Sequence, residues 1–154
     1  MFKLSHPNLQ AQLKALGYDP KVQDETNQAY LVIKHEKREF PIFFRILHEG
    51  ELLQILSFIP TNFKDESLSD LCRFLLMLNK ELDMPGFCID EASKTIFYRL
   101  MLPTHNKELP KETLEAFLQT SQTVCRTFTP VIEAIAIGAM SLDEVLQKAA
   151  ELKK

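Results

Sequence analysis

A β-hairpin followed by a long amphipathic helix constrains the fold of this chain more than any other feature. The hairpin is predicted from the short apolar run over residues 87–89 and the alternating, β-rich run over residues 94–102. The helix is predicted to begin at Pro110, because the N–H that proline lacks would have no hydrogen-bond partner in the first turn of a helix. Its apolar stripe contains Leu114, Phe117, Leu118, Ser121, Val124, Cys125, Phe128, Ile132 and Ile135. A stripe this wide predicts a helix that lies across a sheet.

The segments ahead of the hairpin predict the rest of that sheet. Apolar runs bounded by turn residues indicate three strands, and leucine spacing indicates a helix on either side of them. The predicted bounds are 5–17 for the first helix, 29–35, 40–48 and 52–59 for the strands, and 67–83 for the second helix. The sequence thus predicts an α+β fold in the order α-β-β-β-α-β-β-α, with helices packed on an antiparallel sheet.

The last segment adds an extra C-terminal helix to this order. Ser141 and Glu144 form a capping-box pattern ahead of residues that are apolar on one side of a helix. Gly138 separates this helix from the long one. We therefore expect one domain over residues 1–138, followed by a C-terminal amphipathic helix over residues 139–154.

The predicted strands are apolar on both faces, although a sheet with one face in water should alternate cleanly. In the second strand, alternate residues from Phe40 to Ile46 define one face, yet Phe43 and Leu47 lie on the other. Three explanations stay open. Pro41 or a bulge disturbs the register, a helix covers the second face, or the second face is an apolar surface for a partner.

The second helix has more apolar surface than one buried face requires. Its leucines recur at three- and four-residue spacing, and Cys72, Phe74, Leu76 and Met77 widen the apolar surface. A subunit interface is the explanation that we favour over simple burial within one subunit. The residues predicted at this homodimer interface are Leu71, Phe74, Leu75 and Leu78.

Charge and cysteine content narrow the classes of partner. The chain has 154 residues and a formal net charge of −3, which argues against unassisted binding to nucleic acid or to an anionic membrane. We expect no signal peptide, and the longest weakly polar run, residues 130–142, is too short to insert stably in a bilayer. The odd number of scattered cysteines (Cys72, Cys88 and Cys125) predicts reduced thiols in a cytoplasm.

A search for catalytic, metal or cofactor groups finds no favourable constellation. The four glycines lie at predicted turns or helix ends, and the four histidines have no partner at metal-ligand spacing. Cys88 has no neighbouring cation to activate it, and Asp90 and Glu91 are ordinary turn residues. We therefore expect no enzymatic activity, no metal and no cofactor. One exception stays open, since a site assembled across a dimer is invisible in a sequence.

Four segments resemble the YbjN-like domain, whose biochemical role is poorly defined. They are residues 78–82 (LNKEL), 86–91 (GFCIDE), 98–103 (YRLMLP) and 109–114 (LPKETL). The order of elements through about Gly138 also resembles the class I type III secretion chaperones, with which that domain shares its fold. The extra helix after Ser141 departs from the minimal chaperone plan.

The chaperone resemblance implies a bacterial cytoplasmic homodimer that pairs partly through residues 67–83. It also implies that an unfolded N-terminal segment of a secreted effector binds in extended form to the first helix and first three strands, without a covalent step. The residues most suited to such a surface are Leu9, Leu13, Ile33, Phe43, Leu47, Leu53 and Ile55. Ordinary core packing is the competing explanation for each of them. The predicted function is thus a non-enzymatic chaperone or adaptor for type III secretion effectors; the alternative is a YbjN-like regulatory domain that binds a folded protein.

Overall fold

An antiparallel sheet with helices on one side forms the framework of the protein. The computed structural model describes residues 1–153. The helices are α1 (His6–Ala15), α2 (Leu68–Glu81), α3 (Lys111–Ala136) and α4 (Leu142–Leu152). The strands are β1 (Phe2–Lys3), β2 (Lys21–Gln23), β3 (Gln28–His35), β4 (Arg38–Leu47), β5 (Leu52–Ile59), β6 (Phe87–Asp90), β7 (Thr95–Pro103) and β8 (Glu108–Leu109). The predicted α+β class is confirmed. The strands β1, β2 and β8 were missed, because two or three residues give no periodic pattern.

Six strands form the main sheet in the order β2-β3-β4-β5-β7-β6, and neighbouring strands are antiparallel. The strands β1 and β8 pair separately as a second, two-stranded sheet. The register passes through Pro41 without a shift, since Val32 pairs with Pro41 and Ile33 pairs with Phe40. A disturbed register is therefore not the reason why these strands are apolar on both faces.

The core lies between one face of the main sheet and the helices. Phe44 on β4, Ile55 on β5 and Leu100 on β7 are cross-strand neighbours and form a buried layer. The apolar stripe of α3 packs on the sheet, and its Leu118 and Ile132 have no solvent exposure. Full burial of one such side chain stabilises the folded state by about 1.5–3 kcal/mol relative to leaving it in water. Within residues 1–153, no helix combines the length and apolarity that crossing a membrane requires.

Two serine hydroxyls meet inside this apolar core. Ser57 on β5 and Ser121 on α3 are both buried, and their Oγ atoms share a hydrogen bond. A buried hydroxyl without a partner costs free energy, so each serine makes the other tolerable at its position. The pair therefore links β5 to α3 by a polar contact inside the apolar core.

The helix α4 is capped from two directions and packs against α2. Ser141 Oγ accepts a hydrogen bond from the backbone N–H of Glu144 at 3.1 Å, as the capping pattern predicts. Asp70 Oδ2 on α2 accepts a second bond from the backbone N–H of Leu142 at 2.9 Å. The side chain of Leu142 is fully buried. The division into residues 1–138 and 139–154 stays a prediction, and Lys154 lies outside the described residues.

Candidate protein-binding surface

One face of the main sheet has no helix packed on it among residues 1–153, and we call it the open face. The helices α1 and α3 pack on the opposite face, against β3 and against β5 and β7. Side chains of the open face alternate with core residues along each strand. Its central members are Tyr30, Val32, Pro41, Phe43, Arg45, Leu47, Leu52, Leu56, Phe58, Phe97, Arg99 and Met101.

Four aromatic rings cross the open face from β3 to β7. The rings of Tyr30 and Phe43 stack, with centroids 5.2 Å apart and planes at 22°. The ring of Phe58 meets Phe43 edge-on at 5.7 Å and lies 6.0 Å from the ring of Phe97. The interaction between two such rings stabilises the folded state by roughly 0.5–1.5 kcal/mol, in addition to the free energy gained by burying their surface. We call these four residues the aromatic ladder.

Solvent reaches this apolar surface. Val32 is 42% exposed and Met101 is 37% exposed, whereas the four rings of the aromatic ladder shield one another and are half-buried. The apolar side chains of the open face do not join the core cluster of residues 1–153. A contiguous apolar surface outside the core is typical of a site that contacts another molecule.

Apart from the open face, a shallow groove of about 260 Å³ lies between α2 and β6. Cys72, Leu76, Cys88 and Glu91 are among its lining residues. Burial, and to a lesser extent the carboxylate of Glu91, raises the pKa of the Cys72 thiol. A raised pKa keeps the thiol protonated and makes it a poorer nucleophile. The groove therefore lacks an activated thiol at Cys72.

The residue types used in catalysis and metal binding are dispersed or engaged elsewhere. Among residues 1–153, no three His, Cys, Asp or Glu side chains lie close enough together to hold a metal ion. The carboxylate of Asp90 serves its own turn, where it accepts hydrogen bonds from Ala92 N and Ser93 Oγ. The open face is accordingly the candidate functional site among the described residues. That the chain is not an enzyme stays a prediction.

The seven residues predicted to bind cargo do not share one surface. Four of them lie in the core without solvent exposure: Leu9, Leu13, Leu53 and Ile55. Ile33 packs against the core and is only partly exposed. Phe43 and Leu47 lie on the open face, because the two-residue period of β4 turns them away from α3. The cargo prediction therefore rests on these two residues.

The residues predicted at a homodimer interface pack inside the subunit. Leu71, Phe74 and Leu75 are buried, and Leu78 packs against the core, because α3 and β6 cover this side of α2. Of the residues that widen the apolar surface of α2, Leu76 is the large hydrophobic side chain that stays in solvent, with 71% exposed. The homodimer itself stays a prediction. An interface formed by α2 would have to use the side of the helix that contains Leu76.

Sequence reasoning missed three residues of the aromatic ladder, namely Tyr30, Phe58 and Phe97. The alternation within each strand was visible, but residues far apart in the chain become neighbours only through the strand order. The available signal was that three separate strands each have an aromatic residue at a position opposite to the core-facing ones.

The fold and the open face define a class of protein: an α+β domain whose antiparallel sheet is covered by helices on one face and has an apolar, aromatic surface on the other. Comparison with protein families gives a match over residues 6–134 to the family YbjN, described as "Putative bacterial sensory transduction regulator". Because this match covers most of the chain, the chain belongs to the YbjN family. No curated protein matches it. The resemblance to the YbjN-like domain is confirmed, and the resemblance to class I type III secretion chaperones is not.

Proposed function

We propose that the chain is a bacterial regulatory domain that acts by binding a protein partner through the open face. The aromatic ladder is the observation that carries this proposal, since it is an apolar surface outside the core of the subunit. The description of the YbjN family as a regulator of sensory transduction supports a regulatory role. The proposal involves no covalent step, and it takes the partner to be a folded protein.

The chemistry of the open face suits protein binding. Aromatic residues contribute more to binding energy than most residue types, because they bury a large area at a low cost in conformational entropy. Their positions on central strands are fixed by the hydrogen bonds of β4 and β5 with their neighbours. A rigid surface loses little freedom on binding, so more of the contact energy is retained as affinity.

A second candidate, the effector chaperone, is favoured by the outer edge of β3. The short strand β2 pairs only with residues 28–30 of β3. Among the described residues, 31–35 therefore have no strand partner on that side, and an extended segment could add there by backbone hydrogen bonding. The open-face side chains beside such a segment would be Val32 and Lys34, which belong to this unpaired part of β3. The family match favours the regulatory domain over this candidate.

Two finer parts of the proposal concern assembly and compartment. A homodimer through the exposed side of α2 is supported by the exposure of Leu76. A cytoplasmic location is supported by the three cysteines, all of which are free.

The proposed function is tested by comparing proteins captured from a bacterial lysate by three forms of the chain. The first is wild type, the second is the double variant Val32→Ser/Phe43→Ser on the open face, and the third is the control Ile137→Ser. Ile137 is an exposed apolar residue at the end of α3, outside the open face. Thermal unfolding of all three forms establishes that each is folded.

We expect the partner to be retained by wild type and by Ile137→Ser and to be lost by the open-face variant. Equal retention of every captured protein by the folded open-face variant would contradict the proposed function. Limited proteolysis of the isolated partner separates the two candidates. A regulator binds a partner that resists proteolysis on its own, whereas a chaperone binds a segment that is degraded when free.

A further inference from the structure

The charged residues of the open face, taken strand by strand, are of both signs. The register places them on the same side as the aromatic ladder: Lys21 on β2, Lys34 on β3, Glu39 and Arg45 on β4, Arg99 on β7 and Asp90 on β6. The strand β5 adds only uncharged side chains to this face. Four cations and two carboxylates are therefore available to a bound partner or to each other.

The two carboxylates already have partners within the chain. Glu39 lies 3.8 Å from Lys34 Nζ, measured from its Oε1 atom. Asp90 accepts hydrogen bonds from Ala92 N at 3.2 Å and from Ser93 Oγ at 2.8 Å. Glu39 is therefore paired with a cation, whereas Asp90 is held in its own turn by neutral donors and keeps its charge. With four cations and two carboxylates, the strands give the open face a formal charge of +2.

Three cations of the open face have no such partner. Lys21, Arg45 and Arg99 are exposed, and none of them forms an ion pair within residues 1–153. The whole chain has a net charge of −3, so this local positive charge is not the reflection of a basic protein. The open face therefore has the opposite charge to the chain as a whole.

The three cations lie around the apolar side chains at the centre of the open face. Lys21 pairs with Tyr30 and Arg99 pairs with Leu56, so they lie at the two ends of the row that contains Phe43. These two residues are four strand spacings apart, or roughly 19 Å. Arg45 lies two residues beyond Phe43 along β4, roughly 7 Å away. An apolar centre is thus flanked by positive charge on three sides.

We propose that the partner element that docks on the open face is an acidic amphipathic protein segment. Its apolar side chains would cover the aromatic ladder, and its carboxylates would lie against Lys21, Arg45 and Arg99. Arginine pairs with a carboxylate through two parallel hydrogen bonds, which adds specificity to the charge attraction. This inference rests on the proposed function and adds the chemical character of the partner.

The geometry of the rings favours a protein segment over single-stranded nucleic acid. Nucleic acid binds such sheets by stacking bases on free aromatic faces. Here, Tyr30 and Phe43 stack on each other, and Phe58 meets Phe43 at 90°. Apolar side chains pack against ring edges and partly covered rings, whereas bases require an open ring face.

The test measures binding of two fluorescent peptides to the full chain by anisotropy. Both peptides are designed amphipathic helices with leucine and phenylalanine on one side, flanked by glutamate in one peptide and by lysine in the other. The protein forms are wild type, the open-face variant Arg45→Glu/Arg99→Glu and the control Lys14→Glu/Arg73→Glu. Lys14 and Arg73 are exposed on α1 and α2, so the control undergoes the same change in net charge.

We expect wild type and the control to bind the glutamate peptide and the open-face variant to bind it about tenfold more weakly, with affinity falling as salt is added. The open-face variant should gain affinity for the lysine peptide. An equal loss of affinity in the control, or a preference of wild type for the lysine peptide, would overturn the inference. Competition by oligothymidylate would assign the face to nucleic acid instead.

A third variant, Val32→Ser/Phe43→Ser, separates this inference from the proposed function. If it loses both peptides while charge reversal changes neither, the open face binds protein but has no preference for acidic segments. The proposed function would then stand and the inference would fail. If none of the forms binds either peptide, the inference fails as well, and the lysate comparison decides the proposed function independently.

Discussion

Asn79 and Phe87 exchange two hydrogen bonds through the side-chain amide of Asn79. Asn79 Nδ2 donates to the carbonyl oxygen of Phe87 at 3.0 Å, and the backbone N–H of Phe87 donates to Asn79 Oδ1 at 2.9 Å. The backbone N–H of Gly86 donates to the same oxygen at 3.1 Å. Because β6 is the outermost strand, these backbone groups have no neighbouring strand on that side. Asn79 therefore satisfies an edge of the sheet with a side chain from α2.

The variant Asn79→Ala should lower the free energy of unfolding by about 1–3 kcal/mol, because it leaves three partly buried backbone groups without their partner. Urea denaturation measures the change. The control is Lys80→Ala, whose exposed side chain pairs only with exposed Glu81 and should change stability by less than about 0.5 kcal/mol. Equal stability of the two variants would show that the amide clamp does not stabilise the edge.

The variant Asp70→Ala should loosen α4 without unfolding the rest of the chain. Asp70 caps the first turn of α4 through Leu142 N, and removal of a helix cap costs about 0.5–2 kcal/mol. Hydrogen exchange should accelerate at the amides of the first turn of α4 and stay unchanged in the central strands. Gln147→Ala, an exposed change within α4, is the control and should leave that exchange as in wild type.

The Ser57–Ser121 pair should show strong energetic coupling. Either single change to alanine leaves one buried hydroxyl without this partner and should cost about 1–3 kcal/mol. The double change should cost less than the sum of the two by about 0.5–1.5 kcal/mol, because no orphaned hydroxyl remains. Chemical denaturation of the four proteins completes the cycle. Ser57→Ala combined with Ser67→Ala, at the start of α2, should be additive; simple additivity in the Ser57–Ser121 cycle would refute the coupling.

Alkaline pH should destabilise the chain through Cys125. Burial raises the pKa of this thiol from 9.0 to about 12 in the folded state. The contribution of this thiol to the free energy of unfolding is fully present below pH 9. It is lost as the pH rises from 9 towards 12, because in this range the unfolded chain releases the thiol proton and the folded chain keeps it. Cys125→Ala should therefore flatten the decline of stability in urea titrations above pH 9. The cavity control Leu118→Ala should lower stability at every pH and keep the wild-type slope.

A homodimer through α2 should depend on Leu76 and not on the residues beneath it. Light scattering of wild type should then give about twice 17.8 kDa, and Leu76→Glu should shift the protein towards 17.8 kDa, because the interface would bury a charge. Leu152→Glu on α4 changes another exposed leucine and should leave the mass as in wild type. A wild-type monomer at micromolar concentration would rule out the dimer.

The long helices and the longer strands could be predicted because their patterns are local. The run from Leu52 to Ile59 is bounded by turn residues, and the observed strand has the predicted bounds. The apolar stripe of α3 repeats over seven turns, which distinguishes a helix from a strand. Ser141 was predicted as a cap from its spacing to Glu144, and the hydrogen bond between them is present.

The identity of the surface that covers each apolar face could not be predicted. The spacing of Leu71, Phe74, Leu75 and Leu78 shows that α2 has a buried side, but a second subunit and α3 would impose the same pattern. The open face depends on the strand order, which brings Tyr30, Phe58 and Phe97 together from three separate strands. Periodicity within one strand contains no information about that order.

The strict alternation of core and open-face residues makes the lengths of β4 and β5 as constrained as their composition. Phe43 belongs to the open face and its neighbour Phe44 belongs to the core. One inserted or deleted residue in β4 would exchange the two rings and reverse the facing of every residue beyond it. Single-residue length changes in these strands should therefore be eliminated by selection, whereas substitutions confined to the open face alter the partner-facing surface and leave the core packing in place.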